Sequence, residues 1–171
     1  MFNTLKKQVN RCILILYDPK QSFHELEKES LEEVTSYYMQ MLLFAGAATG
    51  LFNLMFLLSK TLYLDFIVDI DVRYSIVFNY LVGRATSLVF FYIFGGTILL
   101  FFLSMIIRIF IRLRYAELLK LLMYSIAPLL LFGWIVGFQA IAVIWCIFLF
   151  VIGLKTYTVK SIKKDTISNR N

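Results

Sequence analysis

Asp65, Asp69 and Asp71 are the carboxylates whose grouping comes nearest to a chemical site. Three acids within one short stretch could hold a cation weakly. No glycine-turned ligand loop surrounds them, so solvation of a loop is the simpler account. His24 is the one histidine, and with no cysteine or second histidine beside it a metal site is not expected. Cys12 and Cys146 fall in segments that should lie far apart, so no disulfide is expected. Paired carboxylates for acid–base work, a nucleophile elbow and a phosphate loop are all missing from the chain. The sequence therefore nominates no catalytic, cofactor-binding or metal residue, and a non-enzymatic protein is the expectation.

The elements that would position any site are set by where charge is missing. No charged residue lies in 34–59, 85–107 or 121–154. A run of 18 or more apolar residues without charge is a transmembrane candidate, because about 20 residues at ~1.5 Å rise cross a roughly 30 Å hydrocarbon core. The hydrophobic fraction is 60%, against about 45–50% for soluble domains. The fold expected is all-α: a polytopic membrane bundle of about four spans with an N-terminal amphipathic helix. The first span is placed at Tyr37–Leu58 and the second at Ala85–Ile107, with a possible continuation to Arg114. The last gap is long enough for two short helices, roughly Leu118–Val136 and Ala140–Tyr157, broken at Gly137-Phe138-Gln139. A re-entrant hairpin is the alternative there. Lys60–Arg84 is read as an amphipathic loop, with Tyr74–Val82 touching the interface.

Three regions follow: an amphipathic N-terminal segment at 1–33, the membrane bundle at 34–157, and a basic tail at 158–171. In the first, Phe2, Leu5, Val9, Cys12, Ile13 and Leu16 recur at helical spacing among Lys6, Lys7 and Asn10. That pattern suits a helix lying on the bilayer, or else a frayed terminus. Asp18-Pro19-Lys20-Gln21 starts a second helix, with Asp18 as cap and Gln21 placed to close a capping box. The net charge of +6 gathers beside the spans, in Arg108, Arg112, Arg114 and Lys120 and in Lys155, Lys160, Lys163, Lys164 and Arg170. Cations in those places are suited to lipid headgroups rather than nucleic acid. By the positive-inside rule both termini are expected in the cytoplasm.

Two glycine pairs, Gly46/Gly50 and Gly133/Gly137, have the spacing that lets membrane helices approach closely. They are the candidate helix-packing residues. Pro128 should kink the third span, with Ser125 or Tyr124 helping to satisfy the freed carbonyl. Asn53, Thr49, Gln40, Thr97, Ser104 and Ser125 are the polar residues of the spans, and no ionisable group joins them.

Three stretches, in order, resemble the Yip domain family of Ypt/Rab-interacting polytopic membrane proteins, in its prokaryotic form. They are Tyr17-Asp18-Pro19 with Ser22-Phe23; Leu122-Met123-Tyr124-Ser125-Ile126-Ala127-Pro128; and Trp145 leading to Gly153-Leu154-Lys155 and Val159-Lys160-Ser161. The resemblance implies a helical membrane bundle without enzymatic activity or cofactor. It implies roles in membrane organisation, trafficking or adaptor work, and a small GTPase or another membrane protein as partner. Contact with the lipid bilayer and homo-oligomerisation through the glycine pairs are the other expected associations. A small channel or transporter subunit is the alternative function.

Overall fold

The computed structural model describes residues 2–26, 28–67, 74–111, 113–135 and 137–168, with the side chains of 2–5, 26 and 158–168 excepted. The described residues are helical and contain no strand. Four helical stretches are long and apolar enough to cross a membrane: Leu31–Phe66, Tyr74–Phe110, Tyr115–Phe132 and Gln139–Tyr157. The all-α membrane bundle of four spans is therefore the fold.

Helix α1 is Phe2–Tyr17 and α2 is Pro19–Leu26. Asp18 caps α2 by accepting from the Gln21 amide at 3.1 Å. Gln21 closes no capping box; its side chain donates to Glu25 instead. The box belongs to the next helix, α3 (Leu31–Phe66), where Ser30 and Glu33 each satisfy the other's backbone amide. Ser30-Leu31-Glu32-Glu33 carries that signature in the sequence, Glu33 standing three residues after Ser30 before an apolar run.

Helix α3 is 36 residues long, about 54 Å at ~1.5 Å per residue, well beyond the hydrocarbon thickness. It pairs with an equally long partner: α4 (Tyr74–Phe90), a π-helical turn at Phe91–Gly95, and α5 (Gly96–Phe110). The stretch 60–84, expected as a loop, is thus largely helix. Lys60 and Asp65 prolong α3, while Tyr74–Arg84 forms the opening turns of α4. The charges at 60, 65 and 84 punctuate helices that outrun the bilayer, and helices do not end where hydropathy ends. Asp69, Asp71 and Arg73 lie outside the described residues.

The third stretch is split. Helix α6 (Tyr115–Ser125) gives way at Ile126 to α7 (Ala127–Phe132), with Pro128 in the first turn of α7. Pro128 cannot donate to Tyr124, and the Ile126 amide turns to Leu122 and Tyr124. Ser125 does not repair the break: its hydroxyl donates to Leu121 at 2.7 Å. Helix α8 (Gln139–Ser168) is the last helix among the described residues.

One apolar cluster joins α1, α2, α3, α5, α6, α7 and α8. Cys12, Ile15 and Phe23 from α1 and α2 share it with Val34, Tyr37 and Met41 of α3, Leu121 and Tyr124 of α6, and Leu149 of α8. The N-terminal segment is therefore part of the bundle's core. Val9, Cys12 and Leu16, half of the stripe expected to face lipid, turn inward, whereas Ile13, Leu14 and Tyr17 stay exposed.

Candidate functional site

The polar centre of the molecule is built where α1 meets the start of α3. Glu29 sits in the α2–α3 connection, just before the Ser30 cap. Its carboxylate pairs with the Arg11 guanidinium and accepts from the Tyr124 hydroxyl at 2.7 Å. Its backbone carbonyl accepts from the Lys120 ammonium. Arg11 also lies 5.1 Å from the ring centroids of both Tyr37 and Tyr124. Those two rings are themselves 5.1 Å apart. One carboxylate thus ties α1 to α3 and α6, and the cation is held by charge and by two aromatic faces.

Beneath it, the Cys12 thiol and Tyr37 hydroxyl are hydrogen-bonded at 2.7 Å. Burial pushes the Cys12 thiol up from 9.0 to about 12, against the opposing pull of the Tyr37 hydrogen bond and the Arg11 charge. At pH 8 a thiol of that kind holds about 1,000-fold less thiolate than an exposed one. In a Cys146→Ala background, alkylation of folded protein at pH 8 should therefore be at least about 100-fold slower than in the unfolded chain. The linkage has a definite sign. The folded state holds its proton more tightly, so the thiol's share of stability is complete below about pH 9 and is lost as pH rises toward about 12. Equal alkylation rates in the two states would contradict the buried placement.

Above this centre lies an open groove of about 880 Å³ between α1 and the start of α3. Lys6, Lys7, Asn10 and Arg11 form one wall, and Glu29, Glu32, Glu33 and Ser36 the other, with Gln8 and Leu14 also lining it. A second cavity, about 620 Å³, lies among α3, the π-turn, α5 and α7. Leu42, Leu99, Leu103 and Leu130 typify its apolar lining, with Tyr38 and Gln139 as polar members.

The residues nominated from sequence take varied places. Gly46 and Gly50 both face α4. A Cβ at Gly46 would lie 3.5 Å from the Tyr92 side chain, and one at Gly50 would lie 3.0 Å from Val89 and 3.3 Å from the Ala85 carbonyl oxygen. Gly133 and Gly137, by contrast, are not on a helix face. Gly133 ends α7, and Gly137 takes φ +94° in the turn to α8, with nothing within 4 Å of where its Cβ would be. Their four-residue spacing belongs to a turn, and this corrects their assignment as helix-packing residues. Gly153 has no glycine four residues away, so no packing motif marks it. A Cβ there would collide with Leu121 and lie 3.0 Å from Phe23.

Asp65 accepts a hydrogen bond from the Tyr74 hydroxyl, closing the α3–α4 hairpin. His24 is exposed on α2. The hydroxyls of Thr49, Thr97, Ser104 and Ser125 return to carbonyls of their own helices. Thr97 lies beside Tyr38, fifteen positions before Asn53 on α3, or about 22 Å along the axis. Asn53 and Thr97 therefore stand at different depths along α3.

Comparison with known proteins gives no match, whether to a family model, a curated protein or a solved structure. The class rests on the fold itself: four long apolar helices make this a multi-pass membrane protein in contact with the lipid bilayer.

Proposed function

We propose that the protein is a non-enzymatic membrane-organising or adaptor protein of the Yip type, with both termini in the cytoplasm. The observation that favours this reading is the way the N-terminal segment is built into the bundle. Phe23 of α2 packs against Tyr124 of α6, ring centroids 6.4 Å apart, and fills the space over Gly153 of α8. These residues belong to the three stretches whose order resembles Yip proteins. The Arg11–Glu29 pair and the Arg11–Tyr37 contact tie α1 to the start of α3, beside the first span. The exposed side chains Lys6, Lys7, Asn10 and Glu32 then form one fixed surface rather than a loose tail. A rigid polar platform on a membrane bundle suits docking of a partner at the bilayer surface.

The orientation follows from charge. Arg108, Arg112, Arg114 and Lys120 fall on the same side of the bilayer as both termini in a four-span chain, which the positive-inside rule places in the cytoplasm. Crosslinking and pull-down of a tagged full-length copy from native membranes tests the adaptor role. A partner captured by the parent and lost on Lys6→Glu with Lys7→Glu is the expected result. Capture that is identical in parent and variant, or absent in both, would overturn it.

A further inference from the structure

We infer that the groove between α1 and the start of α3 binds a zwitterionic lipid headgroup of the phosphoethanolamine type. The inference deepens the adaptor reading and depends on it only for placing α1 at the bilayer surface.

Six charged residues line the groove: Lys6, Lys7 and Arg11 against Glu29, Glu32 and Glu33. Their charges sum to zero, yet they are sorted by wall, cations on α1 and acids on the other side. Arg11 and Glu29 neutralise each other, and theirs is the one ion pair among the described residues. Glu33 is held in the Ser30 cap. Lys6 and Lys7 on one wall and Glu32 on the other are left facing a shared space without bridging it. A simple anion entering there would meet three carboxylates, and a simple cation three positive side chains. A neutral ligand with separated charges satisfies both walls, its phosphate toward Lys6 and Lys7 and its ammonium toward Glu32.

A second observation separates ethanolamine from choline. Gln8 lines the groove at 8% exposure, and its amide oxygen has no hydrogen-bond partner. A buried acceptor of this kind calls for a hydrogen-bond donor. A primary ammonium supplies one, and a trimethylammonium does not. Choline sites favour aromatic faces instead, and here the nearby Tyr37 and Tyr124 rings already hold Arg11. The setting identifies the source as lipid. The groove opens where the acids before Val34 give way to the uncharged run of the first span, which is headgroup depth. Leu14 lines it, and Ile13 and Tyr17 are exposed on the same helix, side chains suited to the boundary between headgroups and acyl chains. The groove volume of about 880 Å³ lies within the ~300–1,000 Å³ typical of small-ligand sites.

The test uses full-length protein in detergent, exchanged against equal amounts of phosphatidylethanolamine, phosphatidylcholine and phosphatidylglycerol, with retained lipid quantified by mass spectrometry. Phosphatidylethanolamine should be retained at least fivefold over each competitor. Lys6→Ser with Lys7→Ser, and separately Glu32→Gln, should abolish that preference, and Gln8→Leu should bring ethanolamine and choline lipids level. Lys6, Lys7 and Glu32 are exposed, so unchanged melting of those variants serves as the folding check. Soluble glycerophosphoethanolamine should compete at least tenfold less well than the lipid. Equal retention of the three lipids, a preference that survives the charge variants, or better competition by the soluble compound would each overturn the assignment. The pull-down reads a protein partner and the exchange reads retained lipid, so the adaptor reading and this site can fail separately.

Discussion

Replacing Gly153 with valine is expected to lower the melting temperature by about 6–12 °C. The glycine lies at the crossing of three helices. Leu121 of α6 occupies the position its Cβ would take and Phe23 of α2 presses close to it, and both are fully buried. Leu121 could swing only into neighbouring core side chains. Phe23 is held at 3.0–3.1 Å from the same point and lies tilted against Tyr124. Overfilling a packed core typically costs about 1–3 kcal/mol, and the upper end applies where two buried neighbours must move at once. For a chain of this size each kcal/mol is worth roughly 2–4 °C. Gly83→Ala is the matched control: nothing lies within 4 Å of its Cβ position, and helix propensity alone should leave stability equal or raise it by about 0.5–1 kcal/mol. Adding Leu121→Ala to Gly153→Val should recover part of the loss, since the two sites share one space. A Gly153→Val protein that melts with the parent would show that α2, α6 and α8 do not close on this residue.

That contact was not legible in the sequence, and the reason is physical. Small residues signal close approach when they recur at one-turn spacing, because only then do they line a continuous groove. Gly153 works alone, against side chains from two other helices, and nothing local distinguishes it from any glycine in an apolar run. Gly133 and Gly137 show the converse. Their spacing is that of a packing motif, but Trp134 and Ile135 already belong to a turn, and the left-handed φ of Gly137 is what the turn requires. The spans themselves were legible, because exclusion of charge from hydrocarbon acts on every residue of a crossing helix. Their true ends were not. Lys60, Asp65 and Arg84 mark the limit of the apolar layer, while backbone hydrogen bonding carries α3 and α4 further until the hairpin between them closes at Asp65 and Tyr74.

The polar centre was hidden for a related reason. Arg11 reads as one more cation on an amphipathic helix and Glu29 as one of five acids before a span. Only the folded chain brings them together, over two tyrosines that lie far apart in the sequence. Tyr37 and Tyr124 are among the largest fully buried side chains. The apolar period of α1 was visible, but periodicity does not say whether lipid or protein covers the stripe. Protein covers the part at Val9, Cys12 and Leu16.

Removal of the Glu29 carboxylate tests that centre directly. Glu29→Ala leaves the Arg11 guanidinium without its anion and the Tyr124 hydroxyl without its acceptor. Stranding one member of a fully buried pair costs about 3–5 kcal/mol. Here Arg11 and Glu29 keep 22% and 27% of their side-chain surface exposed, so water recovers part of that and a loss of about 2 kcal/mol is expected. The melting temperature should fall by about 4–8 °C. Glu29→Gln keeps an acceptor for Tyr124 and should lose about half as much, since only the charge is gone. Stability alone would not show that α1 is what comes loose. Cys12 supplies that readout, because its thiol is covered only while α1 lies against Tyr37. In a Cys146→Ala background, Glu29→Ala should raise the alkylation rate of Cys12 several-fold at temperatures well below the transition, and Glu29→Gln should raise it less. If Cys12 stays as protected as in the parent while the melting temperature drops, the carboxylate supports α6 through Tyr124 and Lys120, and it is not what fastens α1 to the bundle.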